Sequence, residues 1–213
     1  DCEKGVGEVI TKTEDLSGFD VIDLRGSGKV IITKSDKFEF SVETNGNLIP
    51  LLSHKVEDGV LEIKTTKCIS NYDKLNYYIS MPELVGLELS GSGTIKCEDT
   101  FEMDDLEISI SGSGDIEGKF KAENISSSIS GSGDITIYGR TEKQDIRING
   151  SGDFNDYKLK AEITDVKISG SGDAEVYSKD KINATIAGSG DVKYKGSPDI
   201  SSSVTGSGSV IKK

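Results

Sequence analysis

Residues 107–116 read Glu107-Ile108-Ser109-Ile110-Ser111-Gly112-Ser113-Gly114-Asp115-Ile116, and 19 residues further on the chain reads Ser126-Ser127-Ser128-Ile129-Ser130-Gly131-Ser132-Gly133-Asp134-Ile135. An apolar side chain at every second position is the signature of a strand with one buried face, and the Gly-Ser-Gly between two such stretches is a tight turn. The same tripeptide stands at 26–28, 91–93, 112–114, 131–133, 150–152, 170–172, 188–190 and 206–208. From 91 onward its spacings are 21, 19, 19, 20, 18 and 18 residues. A period this regular defines a repeat architecture.

Working outward from each turn, an aliphatic residue lies two positions before it: Leu89, Ile110, Ile129, Ile148, Ile168, Ile186 and Val204. Another apolar residue lies two positions after it, at Ile95, Ile116, Ile135, Phe154, Ala174, Val192 and Val210. A repeat is therefore strand, Gly-Ser-Gly turn, strand and a looser polar turn such as Gly139-Arg140-Thr141-Glu142-Lys143-Gln144. One such rung cannot bury enough apolar surface to offset its ordering entropy, so rungs must stack and share backbone hydrogen bonds and core. A propeller blade needs about 40 residues, and an antiparallel meander does not explain two unlike turns recurring in one register. The sequence predicts an all-β, right-handed parallel β-solenoid (β-helix) with rungs of about 19 residues.

Residues 15–90 are less regular. Phe19–Ile32 has the strand-turn-strand form around Gly26-Ser27-Gly28, and alternation returns at Phe38–Val42, Leu61–Ile63 and Leu75–Ile79, with a short helical turn expected at Asn47–Leu52. The expected organisation is an N-terminal tail at 1–14 and one continuous solenoid over 15–213, irregular over 15–90 and regular over 91–213.

Composition narrows the function classes. With 25 Gly and only 3 Pro, turns between short strands are favoured over a disordered linker. A formal net charge of −12 argues against nucleic acid and against adsorption to anionic lipid. No apolar run approaches the roughly 18 residues that suggest a membrane span, and the opening residues show no signal-peptide core. Of the three cysteines, Cys68 and Cys97 could close a loop of about 30 residues, stabilising by roughly 3–4 kcal/mol. The preferred reading of Cys97 is a small buried apolar residue, and Cys2 is a candidate lipid-attachment site.

The candidate chemistry lies beside the turn. Asp115, Asp134, Asp153, Asp173 and Asp191 each follow Gly-Ser-Gly and would stack into a carboxylate ladder. Charges about 4.8 Å apart repel by about 1 kcal/mol in water and several-fold more near a protein, so hydrogen bonds, lysines or bound cations must compensate. A calcium ladder is the functional reading. The favoured structural reading has each carboxylate accepting from its own turn's N–H groups. The serines Ser113, Ser132, Ser151, Ser171, Ser189 and Ser207 recur in every rung with His54 as the lone histidine, so they read as structural rather than nucleophilic. No catalytic residue and no cofactor is assigned. Carboxylates are many, but no irregular group of acids marks a glycosidase cleft.

Phe19-Asp20-Val21-Ile22 leading to Gly26 and Val30-Ile31-Ile32, then Val56–Ile63, Met81-Pro82-Glu83-Leu84 and the Ser-Gly-Ser-Gly-Asp-Ile series, resemble the putative autotransporter adhesin, head GIN domain family of bacterial cell-envelope proteins. The resemblance spans residues 16–211. It implies a β-solenoid, export across the inner membrane and a role in adhesion, and it carries no catalytic residues. Lys29, Thr94 and Ser209 depart from the Asp that follows the other turns. The expected function is a non-enzymatic, extracytoplasmic structural or adhesion module that binds a protein or polysaccharide surface. Its expected location is the periplasm, the outer membrane as a lipoprotein, or the cell surface. The alternatives are a calcium- or glycan-binding β-roll-like protein and, behind it, a carbohydrate-active β-helix enzyme. The open end of the stack, finishing Ser209-Val210-Ile211-Lys212-Lys213, also suggests a homo-oligomer.

Overall fold

The computed structural model describes residues 2–213. In chain order the strands are β1 (Glu3–Lys4), β2 (Val9–Glu14), β3 (Val21–Gly26), β4 (Lys29–Lys34), β5 (Glu39–Asn45), β6 (Leu52–Glu57), β7 (Val60–Thr65), β8 (Ile69–Ser70) and β9 (Leu75–Met81). There follow β10 (Gly86–Gly91), β11 (Thr94–Gly112), β12 (Asp115–Gly131), β13 (Ile135–Gly150), β14 (Phe154–Gly170), β15 (Ala174–Gly188), β16 (Val192–Lys195), β17 (Asp199–Gly206) and β18 (Val210–Lys212). A 3-10 helix, Gly46–Leu51, stands where the sequence predicts a helical turn. The strands build a parallel β-solenoid of about 7 turns with rungs spaced at about 19 residues.

Each rung bends twice. The Gly-Ser-Gly turn makes one corner, and the looser turn, within the long strands β11 to β15, makes the other. One wall stacks the residues that precede Gly-Ser-Gly, so that Leu24, Leu89, Ile110, Ile129, Ile148, Ile168, Ile186 and Val204 form one column. The opposite wall stacks those that follow it, in the order Ile95, Ile116, Ile135, Phe154, Ala174, Val192 and Val210. Buried side chains from both walls merge into one core running from Phe19 to Val192.

The two glycines of each turn have different duties. The first lies in the left-handed half of φ space, as in Gly131 at φ +134, where a side chain is strained. The second does not from Gly93 onward, although Gly28 in the first turn does at φ +103; instead, a Cβ on Gly133 would collide with the carbonyl oxygen of Gly114 one rung earlier and sit 2.9 Å from Ile110 Cγ2. The turns nest because nothing projects there. The amides of Ser132 and Gly133 then both donate to the Gly112 carbonyl, at 2.8 and 3.1 Å.

The N-terminal half departs from a simple coil. The rung made by β3 and β4 lies between two rungs that come later in sequence: β7 and β9 stack on its outer side, β10 and the start of β11 on its inner side. Ser92 and Gly93 consequently donate to the carbonyl of Gly26, both at 3.0 Å, although they lie 66 and 67 residues further along the chain. The stack is closed at this end by antiparallel strands: β6 on β7, β5 on β9, and β2 on β5. The 3-10 helix joins them and buries Leu48. Residues 3–14, read from sequence as a tail, thus carry two strands.

The cysteine readings are corrected in part. Cys68 is bridged to Cys2, with Cα atoms 4.6 Å apart, rather than to Cys97. The Cys2 sulfur held in that bond is not free to carry a thioether-linked lipid. Cys97 is buried in the core as expected, and burial pushes its thiol up.

One patch of the core is polar. Gln144 and Thr164 occupy a column otherwise filled by Leu106, Ile125 and Ile182, and Ser127 sits between Ile108 and Ile146 in the next. From the opposite wall Asp156 is 1% exposed, in a rung carrying a local register irregularity. Its Oδ1 accepts the Tyr177 amide at 3.2 Å, while Oδ2 has no partner. Burial raises its carboxyl well above the ordinary value of 3.8, with Gln144 and the Tyr177 amide only partly offsetting. A raised folded pKa means stability present below about pH 3.8 and lost as pH climbs toward the folded value. Asp156→Asn is therefore expected to melt above the wild type at pH 8, with the gap closing toward pH 4. Thermal melts across that range check this, and a gap independent of pH contradicts it.

Candidate binding groove

The aspartates flagged by sequence do form a column, immediately after the turn and on the outside of one wall. Their compensation differs from the expected one, because each carboxylate reaches to the next rung and not to its own turn. Asp134 N–H donates to Asp115 Oδ1 at 3.3 Å, and the amides of Asp153, Asp173 and Asp191 each donate to the preceding aspartate at 2.8 Å. Ser209 N–H ends the series on Asp191 Oδ1 at 2.9 Å. Before the series begins, the same amide finds a glycine carbonyl: Thr94 donates to Gly28 and Asp115 to Gly93. The departures at Lys29 and Thr94 thus mark where the ladder has not started, and Ser209 where it stops.

Lys193 adds a cation, 2.6 Å from Asp173 Oδ2. Partial burial pushes the Asp173 carboxyl up, but the Lys193 ammonium and the Asp191 amide together hold it below the usual range. Among the described residues no group of three or more His, Cys, Asp or Glu is placed to hold a metal ion. The turn serines are all exposed, and what they contribute to the stack is their backbone N–H. His54 lies at the capped end on β6, packed on Phe40 and 3.1 Å from Glu14 Oε1. Burial lowers its pKa against the opposing pull of Glu14.

A second feature lies at the looser corner. Here the register stacks Glu102, Lys121, Arg140 and Lys160 in one column and Met103, Ala122, Thr141, Ala161 and Ser178 in the next. One residue further along each rung come Asp104, Glu123, Glu142 and Glu162. The result is an open groove of about 730 Å³ that also takes in Lys179 and Tyr177. Its floor is small, one bank is mainly basic, and the other is acidic.

The floor is small for a structural reason. Thr141 Oγ1 lies 3.0 Å from the carbonyl oxygens of both Glu123 and Lys143, and Ser178 Oγ lies 3.1 Å from Glu162 O and 2.8 Å from Lys181 O. Each hydroxyl has one hydrogen to donate, and so satisfies one of the two backbone carbonyls beside it at the bend. The banks are less self-satisfied. Lys121 pairs with Glu102 at 2.7 Å, drawing that carboxyl below its usual range, and Lys179 lies 4.0 Å from Glu162. Among the described residues Arg140, Lys160, Asp104, Glu123 and Glu142 have no ion-pair partner. Sequence reading missed this groove because the rungs were aligned on the tight turn. Aligning them on Gly139–Gln144 and its equivalents brings the three columns out.

Fold and groove define a class: a repeat protein with long polar walls and a charged corner trough. Within that class the chain belongs to the family described as "Putative auto-transporter adhesin, head GIN domain", whose model matches residues 18–198. It is similar to a putative adhesin from Bacteroides fragilis, with a TM-score of 0.91, 26% identity and 99% of each chain covered. It is also similar to a putative lipid-binding protein from Parabacteroides distasonis, with a TM-score of 0.85, 27% identity and 100% of each chain covered. A putative adhesin from Parabacteroides merdae shares the fold, with a TM-score of 0.79 at 23% identity over 100% of this chain and 99% of that one. No curated protein matches.

The hydrogen-bond account of the aspartate ladder is tested by two substitutions at one site. Asp153→Asn keeps an acceptor and removes a like charge, so its melting temperature is expected to equal or exceed that of the wild type. Asp153→Ala abandons the Asp173 amide and is expected to cost about 1 kcal/mol. Neither excess calcium nor EDTA is expected to move the wild-type melting temperature, and a calcium-dependent rise reinstates the metal reading.

Proposed function

We propose that this chain is a non-enzymatic, adhesion-type binding module of a bacterial cell envelope that holds an acidic polysaccharide in the groove at the looser corner. The observation that carries the reading is the pairing of a mainly basic bank with an acidic one over a floor of small side chains. The banks repeat at the rung spacing of about 4.8 Å, whereas an extended peptide repeats at about 3.3–3.4 Å per residue and twice that per side. The rung spacing is of the order of one sugar residue, which favours a glycan lying along the stack.

The chemistry divides between the banks. Lys121, Arg140 and Lys160 on one bank, with Lys179 at the end of the other, attract acidic substituents, and Arg140 offers a planar fork for a carboxylate or sulfate. Asp104, Glu123, Glu142 and Glu162 accept from hydroxyl and amide N–H groups on the other edge of the ligand. Extracytoplasmic placement is supported by family membership and by the Cys2–Cys68 disulfide, since disulfides persist in oxidising compartments. The non-enzymatic reading is supported by the company the reactive residue types keep: the serines recur as turn spacers, and the lone histidine packs in the end cap.

Binding to a glycan array enriched in uronic-acid and sulfated polymers tests the proposal. Arg140→Glu with Lys160→Glu is expected to weaken the captured polymer at least tenfold, a loss of about 1.4 kcal/mol or more. Raising salt is expected to weaken it as well. The control Arg147→Glu, on the wall facing away from the groove, is expected to bind as the wild type. Equal binding by both variants places the ligand elsewhere.

A further inference from the structure

Four strands of the N-terminal half, in the spatial order β5, β9, β4 and the start of β11, present an outer face of their own. One row across it runs Ser41, Tyr78, Ile31 and Lys96. The next runs Glu39, Ser80 and Thr33 and ends at Glu98, the residue after Cys97. Between the two rows lies a pocket of about 210 Å³ that shares no lining residue with the corner groove. Tyr78 is 39% exposed there and, with Ile31, supplies the pocket's apolar side. The ring is anchored from behind. Its hydroxyl donates to Glu43 Oε2 at 3.1 Å, and Glu43 is itself held by Lys74 at 3.0 Å and Asn76 at 3.4 Å.

The other side of the pocket is polar. The hydroxyls of Thr33 and Ser80 lie 2.9 Å apart, and the pair keeps hydrogen-bonding capacity for a ligand, since each can donate one hydrogen and accept two. Glu39 and Glu98 are exposed at the two ends of the row. Among the described residues neither has an ion-pair partner, and no lysine or arginine lines the pocket. Lys96, at the end of the first row, reaches toward Glu117 at 3.7 Å instead. Three strand spacings separate the two glutamates, roughly 14 Å from backbone to backbone.

We infer that this pocket binds a cationic amino sugar, one ring lying flat on Tyr78. Each feature of the pocket removes an alternative. Two unpaired carboxylates on a chain of net charge −12 repel the acidic sugars that the groove attracts, and they favour an ammonium. The tyrosine ring receives the apolar C–H face of a sugar and adds attraction for a cation near it. A lysine side chain or a polyamine would answer the carboxylates but leave the Thr33 and Ser80 hydroxyls without partners, whereas a hydroxylated ring answers both. The span between the glutamates suits a ring whose ammonium meets one carboxylate and whose hydroxyl donates to the other. The pocket therefore has the opposite charge preference to the groove and does not depend on it.

The test is an amide-resolved NMR titration of the 213-residue chain at about pH 6, where an amino group is protonated. The probes are the methyl glycosides of glucosamine, galactosamine, glucose and glucuronic acid. An amino sugar is expected to shift the Thr33, Tyr78 and Ser80 amides with at least tenfold higher affinity than glucose, while glucuronic acid leaves them unmoved. Glu39→Gln with Glu98→Gln is expected to keep the wild-type melting temperature and erase that preference. Tyr78→Ala is expected to remove binding of the amino sugar, and the groove variant Arg140→Glu with Lys160→Glu is expected to bind it as the wild type. No shift with either amino sugar, equal affinity for glucose, a preference that survives the glutamine pair, binding that survives Tyr78→Ala, or shifts confined to the groove would each overturn the inference.

Discussion

The structure depends on one shared acceptor: the carbonyl of a turn's first glycine, which at Gly26, Gly112, Gly131, Gly150, Gly170 and Gly188 receives two amides from the turn stacked on it. For Gly131 these are Ser151 and Gly152, at 2.8 and 3.2 Å. The geometry exists only if both glycines lack a Cβ, one because of its positive φ and the other because the neighbouring turn lies against it. The turn fixes the height of the rung, the rung height places aliphatic side chain on aliphatic side chain, and the core follows. The aspartate ladder rides on the same register, since a carboxylate can reach the next rung's amide only when turns nest directly.

Most of this was legible in the sequence. The turn tripeptide and the flanking apolar positions were enough to derive parallel stacking, and Ile110, Ile129 and Ile148 are stacked as the alternation requires. What escaped reading involved long sequence separation or a broken local rule. Nothing near Gly26 shows that its turn is stacked with Gly91 or that β7 and β9 lie outside it. The Cys2–Cys68 pairing follows from that non-sequential start, which brings β1 beside β8. Asp156 breaks the alternation of its own strand, so it reads as a surface residue while lying in the core.

The candidate site divides in the same way. The aspartates were found because they sit at a fixed offset from the most recognisable residues in the chain, and their carboxylates accept backbone amides of the next rung. The corner groove was missed because its columns are mixed in chemistry: Glu102 heads a basic column, and Met103, Ala122 and Thr141 share only small or flexible side chains. Regular positions carry the fold, and the positions free of the core and turn constraints vary in charge. Loops and loosely constrained turns on a rigid scaffold are where variation is tolerated.

The central claim, that nested turns hold the rungs together, is tested most directly by paired substitutions within one turn. Gly133→Ala places a methyl against the Gly114 carbonyl and Ile110, and the account predicts destabilisation of about 2 kcal/mol or more in urea denaturation. Ser132→Ala changes only an exposed hydroxyl, and the account predicts a shift within about 0.5 kcal/mol. Equal, small effects from both substitutions would contradict the claim, because the turns would then be connecting rungs that the walls alone hold in register.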